Sequence, residues 1–138
     1  MLKTKIIKLV FVFFWPLFIF GQKENSYWYF GSNAGVHFAN GTVTAKTDGS
    51  LSSNEGCATI SDTAGNLLFY TDGTYVYNKI HNRMTNGNGL NGNSSSSQSA
   101  MIVRKPNSMD IYYVITVNGI SGNPSLGAFY SIVDMRLD

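Results

Sequence analysis

Residues 66–78 read NLLFYTDGTYVYN and place an Asp-Gly pair between two runs of aromatic and β-branched residues. This pattern predicts a β-hairpin. A hairpin with one face in water alternates apolar and polar residues. Here strict alternation sends Leu67 and Phe69 to one face and Leu68 and Tyr70 to the other, so both faces are apolar. We therefore expect other parts of the protein to cover this hairpin on both sides.

The chain after residue 21 predicts an all-β, antiparallel fold, because its apolar runs are short and lack a helical period. Strands are predicted near residues 27–30, 36–38, 42–45, 58–61, 67–71, 75–78, 100–104, 111–117 and 128–134. Turns with a positive-φ residue or a proline are predicted at Asn40-Gly41, Asp48-Gly49, Ala64-Gly65-Asn66, Asp72-Gly73 and Lys105-Pro106-Asn107.

Two stretches of the chain repeat one pattern of strand, polar turn and strand. ATISDTAGNLLFYT begins at Ala58 and AMIVRKPNSMDIYYVIT begins at Ala100, 42 residues later. A period in the low forties with several strands per unit is typical of propeller blades. Neighbouring blades cover both faces of each blade, which accounts for the apolar hairpin. A β-sandwich is the alternative fold.

We expect residues 22–138 to form one β-propeller-like domain of two to three blades. These 117 residues are too few for a closed propeller, which has typically four to eight blades. We therefore expect a truncated chain, and the alternatives are assembly of several chains or a sandwich fold. The low-complexity segment Asn86–Ser99 (NGNGLNGNSSSSQS) is predicted to be a long loop between blades, because the repeat continues across it.

Residues 1–21 have the pattern of a secretory signal peptide. Lys3, Lys5 and Lys8 precede a twelve-residue apolar core at 9–20, which is too short to span a bilayer. Cleavage is expected between Gly21 and Gln22, because small residues precede cleavage sites. We expect an exported protein whose mature chain has no membrane span.

Charge excludes two classes of partner for the mature chain. Removing the three signal-peptide lysines from ten Lys and Arg leaves seven, against eight Asp and Glu. No basic stripe remains, so neither nucleic acid nor a polybasic contact with a membrane surface is expected.

No motif for a nucleophile, metal or cofactor is complete, and we expect no cofactor. Cys57 is the single cysteine, so it forms no internal disulfide, and its small neighbours predict a packed residue. Ser94 lacks the second glycine of a nucleophile elbow. His37 and His81 lie 44 residues apart without spaced ligands.

Three carboxylates and three aromatic residues are the remaining candidates for chemistry on a sugar. Glu55, Asp62 and Asp72 fall within eighteen residues, although their spacing favours turn residues, with Asp62 capping a hairpin turn. Three aromatic residues could stack on sugars, namely Trp28, Tyr75 and Tyr77. Packing in the core is the favoured role for all three.

Several motifs resemble the N-terminal region of large exported proteins of Bacteroidetes. They are YWYFGSNAGV from Tyr27, EGCATISD from Glu55, GNLLFYTDG from Gly65, VYN from Val76, MTNG from Met84, GNSSSSQS from Gly92 and YSIVDM from Tyr130. Those proteins end in gliding-motility-associated, type IX secretion sorting domains. The resemblance implies a propeller-like region, a cell-surface or secreted location, and further modules downstream. It carries over no catalytic residues. This chain lacks the sorting domain, which implies the periplasm if that domain is truly absent.

We expect a non-catalytic exported cell-surface module, linked to gliding motility, that serves in adhesion or polymer binding. A polysaccharide or a cell-envelope protein fits as its partner. The alternative is a fragment of a glycoside-cleaving enzyme that uses carboxylates among Glu55, Asp62 and Asp72.

Processing can be tested directly. We expect mass spectrometry of the exported protein to show an N-terminus at Gln22, because the basic start and apolar core direct cleavage after Gly21. Retention of residues 1–20 in exported protein would contradict this.

Overall fold

The computed structural model describes residues 23–119 and 127–138, and these ranges contain ten strands and no helix. The strands are β1 Tyr27–Phe30, β2 Ala34–Ala39, β3 Thr42–Lys46, β4 Ala58–Ser61, β5 Leu67–Thr71, β6 Tyr75–Asn78, β7 Arg83–Asn88, β8 Ala100–Arg104, β9 Ile111–Val117 and β10 Ala128–Asp134. All of their pairings are antiparallel, so the predicted all-β antiparallel fold is confirmed. The predicted signal peptide and its cleavage site at Gly21 and Gln22 lie outside the described residues.

Consecutive strands form three separate sheets. The first sheet is β1-β2-β3, the middle sheet is β4-β5-β6-β7 and the third sheet is β8-β9-β10. The predicted turns connect neighbours: Asn40 and Gly41, both at positive φ, join β2 to β3. The two repeated stretches become the first two strands of the middle and third sheets. In the described residues no helix is long and apolar enough to cross a membrane.

Strand β7 was not expected from the sequence. Its residues, RMTNGN, contain a glycine and two asparagines, which disfavour a strand by themselves. Pairing with β6, where Tyr77 faces Arg83 and Tyr75 faces Asn88, overrides that preference. The loop predicted to begin at Asn86 therefore begins only after Asn88. Strands β2 and β3 also extend beyond their predicted bounds.

Both faces of the middle sheet are buried, which explains the doubly apolar hairpin. One face packs against the inner face of the third sheet, with a core of Phe69, Val76, Met84, Tyr112, Val114 and Val133. The other face packs against the first sheet and the loop after it, with a core of Leu67, Tyr70, Tyr77, Tyr29 and Leu51. Each large side chain buried in this way contributes roughly 1.5–3 kcal/mol to folding.

A β-bulge changes which face two of the leucines occupy. Alternation predicted that Leu67 shares a face with Phe69 and that Leu68 shares one with Tyr70. The register between β4 and β5 shifts at Ile60, so that β5 holds one extra residue. An extra residue reverses the alternation beyond it. Leu68 therefore packs with Phe69 against the third sheet, and Leu67 packs with Tyr70 against the first.

The low-complexity segment after β7 is bound closely to the turn between β5 and β6. The Gly92 amide donates to the Gly73 carbonyl at 2.9 Å, and the buried Ser99 hydroxyl donates to the Asp72 carbonyl. The amides of Glu55 and its neighbours donate to carbonyls in the same segment. Its glycines allow this close contact: a Cβ on Gly92 would lie 2.4 Å from the Gly73 carbonyl oxygen.

We expect Gly73→Ala to destabilise the protein more than the matched change Gly89→Ala. Both glycines have positive φ, at +86° and +70°, which costs an L-residue about 1–2 kcal/mol. Only at Gly73 would the new Cβ also meet Ser99, whose hydroxyl oxygen would lie 2.0 Å away. Urea unfolding of both variants measures the difference. Equal losses of stability would show that the contact with Ser99 does not constrain the fold.

Candidate functional site

A layer of stacked aromatic rings lies between the first and middle sheets. Tyr29 of β1 stacks on Tyr70 of β5 with centroids 4.6 Å apart, and Tyr70 stacks on Tyr77 of β6 at 5.3 Å. Tyr27 and Tyr75 extend this tyrosine layer at its two ends. Stacked pairs add about 0.5–1.5 kcal/mol each beyond the burial of their area. The layer therefore attaches the first sheet to the middle sheet.

Two glycines make room for the central ring of this layer. A Cβ on Gly35 would lie 2.9 Å from the Tyr29 ring, and a Cβ on Gly49 would lie 2.6 Å from it. Gly49 was predicted to be a positive-φ turn residue, and this was wrong, because its φ is not in that region. What the position requires is the absence of a side chain beside Tyr29.

Asp48 is the centre of a polar network at the edge of the tyrosine layer. Its Oδ1 accepts a hydrogen bond from the Tyr29 hydroxyl at 2.8 Å. Its Oδ2 lies 2.8 Å from Lys46 Nζ and 3.7 Å from His81 Nε2. The Tyr70 hydroxyl lies 3.1 Å from the other ring nitrogen of His81. The network therefore joins the first sheet, the loop after it and the turn between β6 and β7.

The network shifts the titration of its members in directions that follow from their contacts. The hydrogen bond from the Lys46 ammonium lowers the pKa of Asp48 to about 2 and raises the pKa of Lys46. Burial, together with the hydrogen bond to anionic Asp48, raises the pKa of Tyr29. Burial also raises the pKa of Tyr70. At neutral pH the network thus holds an anionic Asp48 against a cationic Lys46 and two neutral phenols.

The polar groups of this network bond to other groups of the chain, so the network has a structural role. Both carboxylate oxygens of Asp48 have partners within the chain, and the Tyr70 hydroxyl accepts a hydrogen bond from the Ser50 amide at 2.9 Å. The Ser50 hydroxyl donates in turn to the His81 carbonyl at 2.7 Å. These groups act to hold the loop at residues 47–57 against two sheets.

A separate open cleft of about 920 Å³ lies along β8 and the turn that follows it. Ile60 of β4 and Ile102 of β8 supply apolar surface. Positively and negatively charged side chains also line the cleft, and an ion pair joins Arg104 to Glu24 at 3.3 Å. The other lining residues are Asn25, Val103, Lys105, Pro106, Asn107, Ser108 and Met109. Hydrogen-bonding groups around an apolar floor are the chemistry of a ligand site.

Asp62 and Asp72 lie at opposite ends of β5, so these two candidate carboxylates are not brought together as a catalytic pair. Asp62 caps the turn before β5, as predicted, by accepting hydrogen bonds from the Ala64 and Asn66 amides. Burial opposes ionisation of Asp62, but a hydrogen bond from the Asn66 side chain and these amide bonds outweigh it and lower the pKa. Asp72 is buried in the turn after β5. Five residues of β5 separate the two turns by roughly 17 Å, beyond the spacing of glycosidase carboxylates.

Of the two remaining carboxylates, Asp72 stabilises a turn and Glu55 contacts a distant loop. Asp72 Oδ1 accepts hydrogen bonds from the amides of Thr74 and Tyr75, each at 2.8 Å. Glu55 is exposed and accepts a hydrogen bond from the Ser97 hydroxyl at 3.1 Å. Asp72 is a turn residue, as expected, whereas Glu55 bonds to a loop 42 residues later in the chain.

The candidate aromatic residues have three different environments. Packing in the core was favoured for Trp28, and this was wrong: its side chain is 53% exposed. Its indole Nε1 donates to the Asn25 carbonyl at 3.0 Å. Tyr77 is buried in the tyrosine layer, as favoured. Tyr75 is half-buried, with the Arg83 guanidinium carbon 3.9 Å from its ring centroid.

The cysteine and both histidines have structural contacts. The half-buried Cys57 thiol donates to the Tyr29 carbonyl at 3.3 Å. Burial, and then the charge of Asp72, raise the pKa of this thiol, which disfavours the thiolate. His37 stacks on Tyr27 at 4.0 Å. Within 23–119 and 127–138 no three His, Cys, Asp or Glu residues are grouped to hold a metal.

The sequence did not identify the residues of the cleft or of the Asp48 network. One local signal was present: Lys46 and Asp48 are two residues apart at the end of a strand, a spacing that puts side chains on one face. Glu24 and Arg104 are far apart in the chain, so no local pattern connects them. Comparisons with protein-family models, curated proteins and solved structures found no match to this chain. The resemblance to exported Bacteroidetes proteins therefore stays a prediction.

Asp48→Asn tests the network through pH. The pKa of Asp48, about 2, lies below the ordinary 3.8, so its ion pair stabilises the fold above about pH 4 and loses this effect as pH falls towards 2. We expect the variant to lose about 1 kcal/mol of unfolding free energy at pH 7, a value limited by solvent screening of a side chain that is 43% exposed.

Urea unfolding at about pH 7 and about pH 2.5 measures this loss. The difference between variant and unmodified protein should shrink at the lower pH. Asp110→Asn, at an exposed carboxylate, is the control and should have little effect at either pH. A loss for Asp48→Asn that is equal at both pH values would contradict the role of its charge.

Proposed function

We propose that this chain is a non-catalytic exported module of the cell surface, whose sheets are blades of a propeller-like fold and whose cleft binds a polymer. The arrangement of first strands supports the blades. Strand β4, the first of the middle sheet, contacts β1 on one side and β8 on the other, and these are the first strands of their own sheets. Inner strands that adjoin in this way are typical of blades around an axis.

The cleft along β8 is the observation that carries the binding proposal. It lies where the first strands of the middle and third sheets adjoin, because Ile60 belongs to β4 and Ile102 to β8. The lining contains two cationic side chains, Arg104 and Lys105, and one anionic side chain, Glu24, so its net charge is positive. A cationic lining around an apolar floor fits an acidic polysaccharide, whose sugars offer carboxylate or sulfate groups and apolar ring faces.

Binding is favoured over glycoside cleavage by the number of carboxylates at the cleft. Cleavage by the common mechanisms requires two carboxyl groups that flank the bond. Glu24 is the one carboxylate among the described lining residues, and it is paired with Arg104. Location at the cell surface and the link to gliding motility and adhesion follow from the sequence resemblance and are part of the proposal.

Lys105→Ala tests the proposal on an array of neutral and acidic polysaccharides. We expect the exported chain to bind acidic members without cleaving them. The variant should bind about ten-fold more weakly, a loss of about 1.4 kcal/mol, because it removes a cation from the cleft. Lys79→Ala removes an exposed lysine that is not among the lining residues and should leave binding unchanged. Added salt should also weaken binding.

Release of reducing ends from bound polysaccharide distinguishes binding from cleavage. Turnover that disappears in Glu55→Gln or Asp72→Asn would overturn the non-catalytic assignment and support the glycoside-cleaving alternative. Binding that is equally weakened by Lys105→Ala and Lys79→Ala would place the ligand outside the cleft.

A further inference from the structure

The first sheet has an apolar outer face that no described residue covers. Strand register aligns Trp28 of β1 with Val36 of β2, and Phe38 of β2 with Val43 of β3, on the side opposite the tyrosine layer. Trp28 and Phe38 contact each other edge to face at 5.6 Å. With Phe30, Ala34 and Ala45, these residues form what we name the first-sheet face. None of them carries a charge.

The third sheet has a corresponding outer face. Register aligns Met101 of β8 and Tyr130 of β10 with Ile115 of β9. One pair further along the strands, Val103 and Ile132 flank Tyr113. We name these six residues the third-sheet face. They are uncharged, and they lie opposite the buried residues that pack on the middle sheet.

The exposed area of these faces is large enough for a stable interface. On each face four large apolar side chains are between 40% and 68% exposed. At roughly 200 Å² for a large side chain, each face offers roughly 400 Å². A single patch of this size matches the largest apolar patch of an ordinary monomer, roughly 300–600 Å², so only the two faces together indicate an interface. The two faces together offer roughly 800 Å² per copy, the amount that a standard interface buries on each partner.

The third-sheet face has an apolar depression, and the first-sheet face has an exposed aromatic ring. The third-sheet face contains an apolar groove of about 480 Å³, whose lining includes Val103, Tyr113, Ile115 and Tyr130. The first-sheet face presents the ring of Trp28, which is 53% exposed. The protein already packs sheets face to face through aromatic contacts, with Phe69 edge-on to Tyr112 at 5.4 Å between the middle and third sheets. Packing of the third-sheet face on a first-sheet face continues that arrangement.

From these observations we infer that the first-sheet face of one copy of this chain binds the third-sheet face of a second copy, and that two copies close into a ring of six sheets. Each copy carries both faces, so two copies bury all four. Six sheets lie within the typical four to eight blades of closed propellers. Closure also prevents the open filament that a head-to-tail interface otherwise generates. This inference rests on the proposed blade arrangement and not on the polymer ligand, and Val103 belongs both to the third-sheet face and to the lining of the cleft.

Oligomeric state measured by light scattering tests the inference. We expect the exported chain to have twice its monomer mass. Val43→Lys on the first-sheet face and Ile132→Glu on the third-sheet face should each give monomers, because each leaves a charge buried against apolar side chains. The dissociation constant should rise at least about a hundred-fold.

Two matched controls carry the same changes at one exposed apolar position outside both faces. Ile80→Lys alters a residue that is 64% exposed, against 61% for Val43. Ile80→Glu alters the same residue, whose 64% exposure compares with 61% for Ile132. Both controls should remain dimers with unchanged dissociation constants.

Mixing the two face variants gives the decisive result. A Val43→Lys copy and an Ile132→Glu copy place Lys against Glu at one interface and unmodified faces at the other, so the mixture should form a heterodimer. Such rescue also shows that both variants are folded. Two outcomes would overturn the inference: an unmodified chain that is monomeric or forms larger open assemblies, or face variants that associate as the controls do. Polysaccharide binding by a monomer would leave the proposed function intact while overturning the ring.

Discussion

The burial of both faces of the middle sheet is the constraint on which the rest of the structure depends. Its strand β5 carries Phe69 towards the third sheet and Tyr70 towards the first, and both side chains are fully buried. A sheet that is apolar on both sides needs another part of the protein packed on each face. Each large side chain left exposed would lose roughly 1.5–3 kcal/mol of stabilising free energy. The bulge in β5 assigns one of its leucines to each core. The order of the three sheets follows from this requirement.

The two interfaces of the middle sheet differ in chemistry. The side towards the third sheet is an apolar core, whereas the side towards the first sheet stacks tyrosines whose hydroxyl groups reach the polar network of Asp48. Buried phenols need partners for their hydroxyl groups. Asp48, Ser50 and His81 supply them, and this requirement explains why the loop at 47–57 folds against the sheets. The most elaborate polar cluster in the described residues is thus structural, and the cleft along β8 is the better site for a ligand.

The low-complexity segment between β7 and β8 has a specific structure. Asn, Gly and Ser usually indicate a flexible linker, but here small residues allow backbone to approach backbone. Gly92 touches the turn at Gly73, and buried Ser99 donates to Asp72 in that same turn. The loop therefore connects the middle and third sheets by contact as well as by covalent linkage. The outer faces of the first and third sheets remain the large apolar surfaces that these contacts do not cover.

The sequence by itself determined the fold class, most strand bounds, the repeated hairpin unit and the capping role of Asp62, because these follow from local alternation and turn chemistry. The tertiary structure decided what depends on residues distant in the chain. Pairing with β6 made a strand of β7, the bulge reassigned Leu68, and the Tyr29 ring accounted for Gly49. The local sequence pattern likewise did not predict the exposure of Trp28 or the ion pair between Glu24 and Arg104. Burial and ion pairing are set by which surfaces meet, and that depends on the packing of whole sheets.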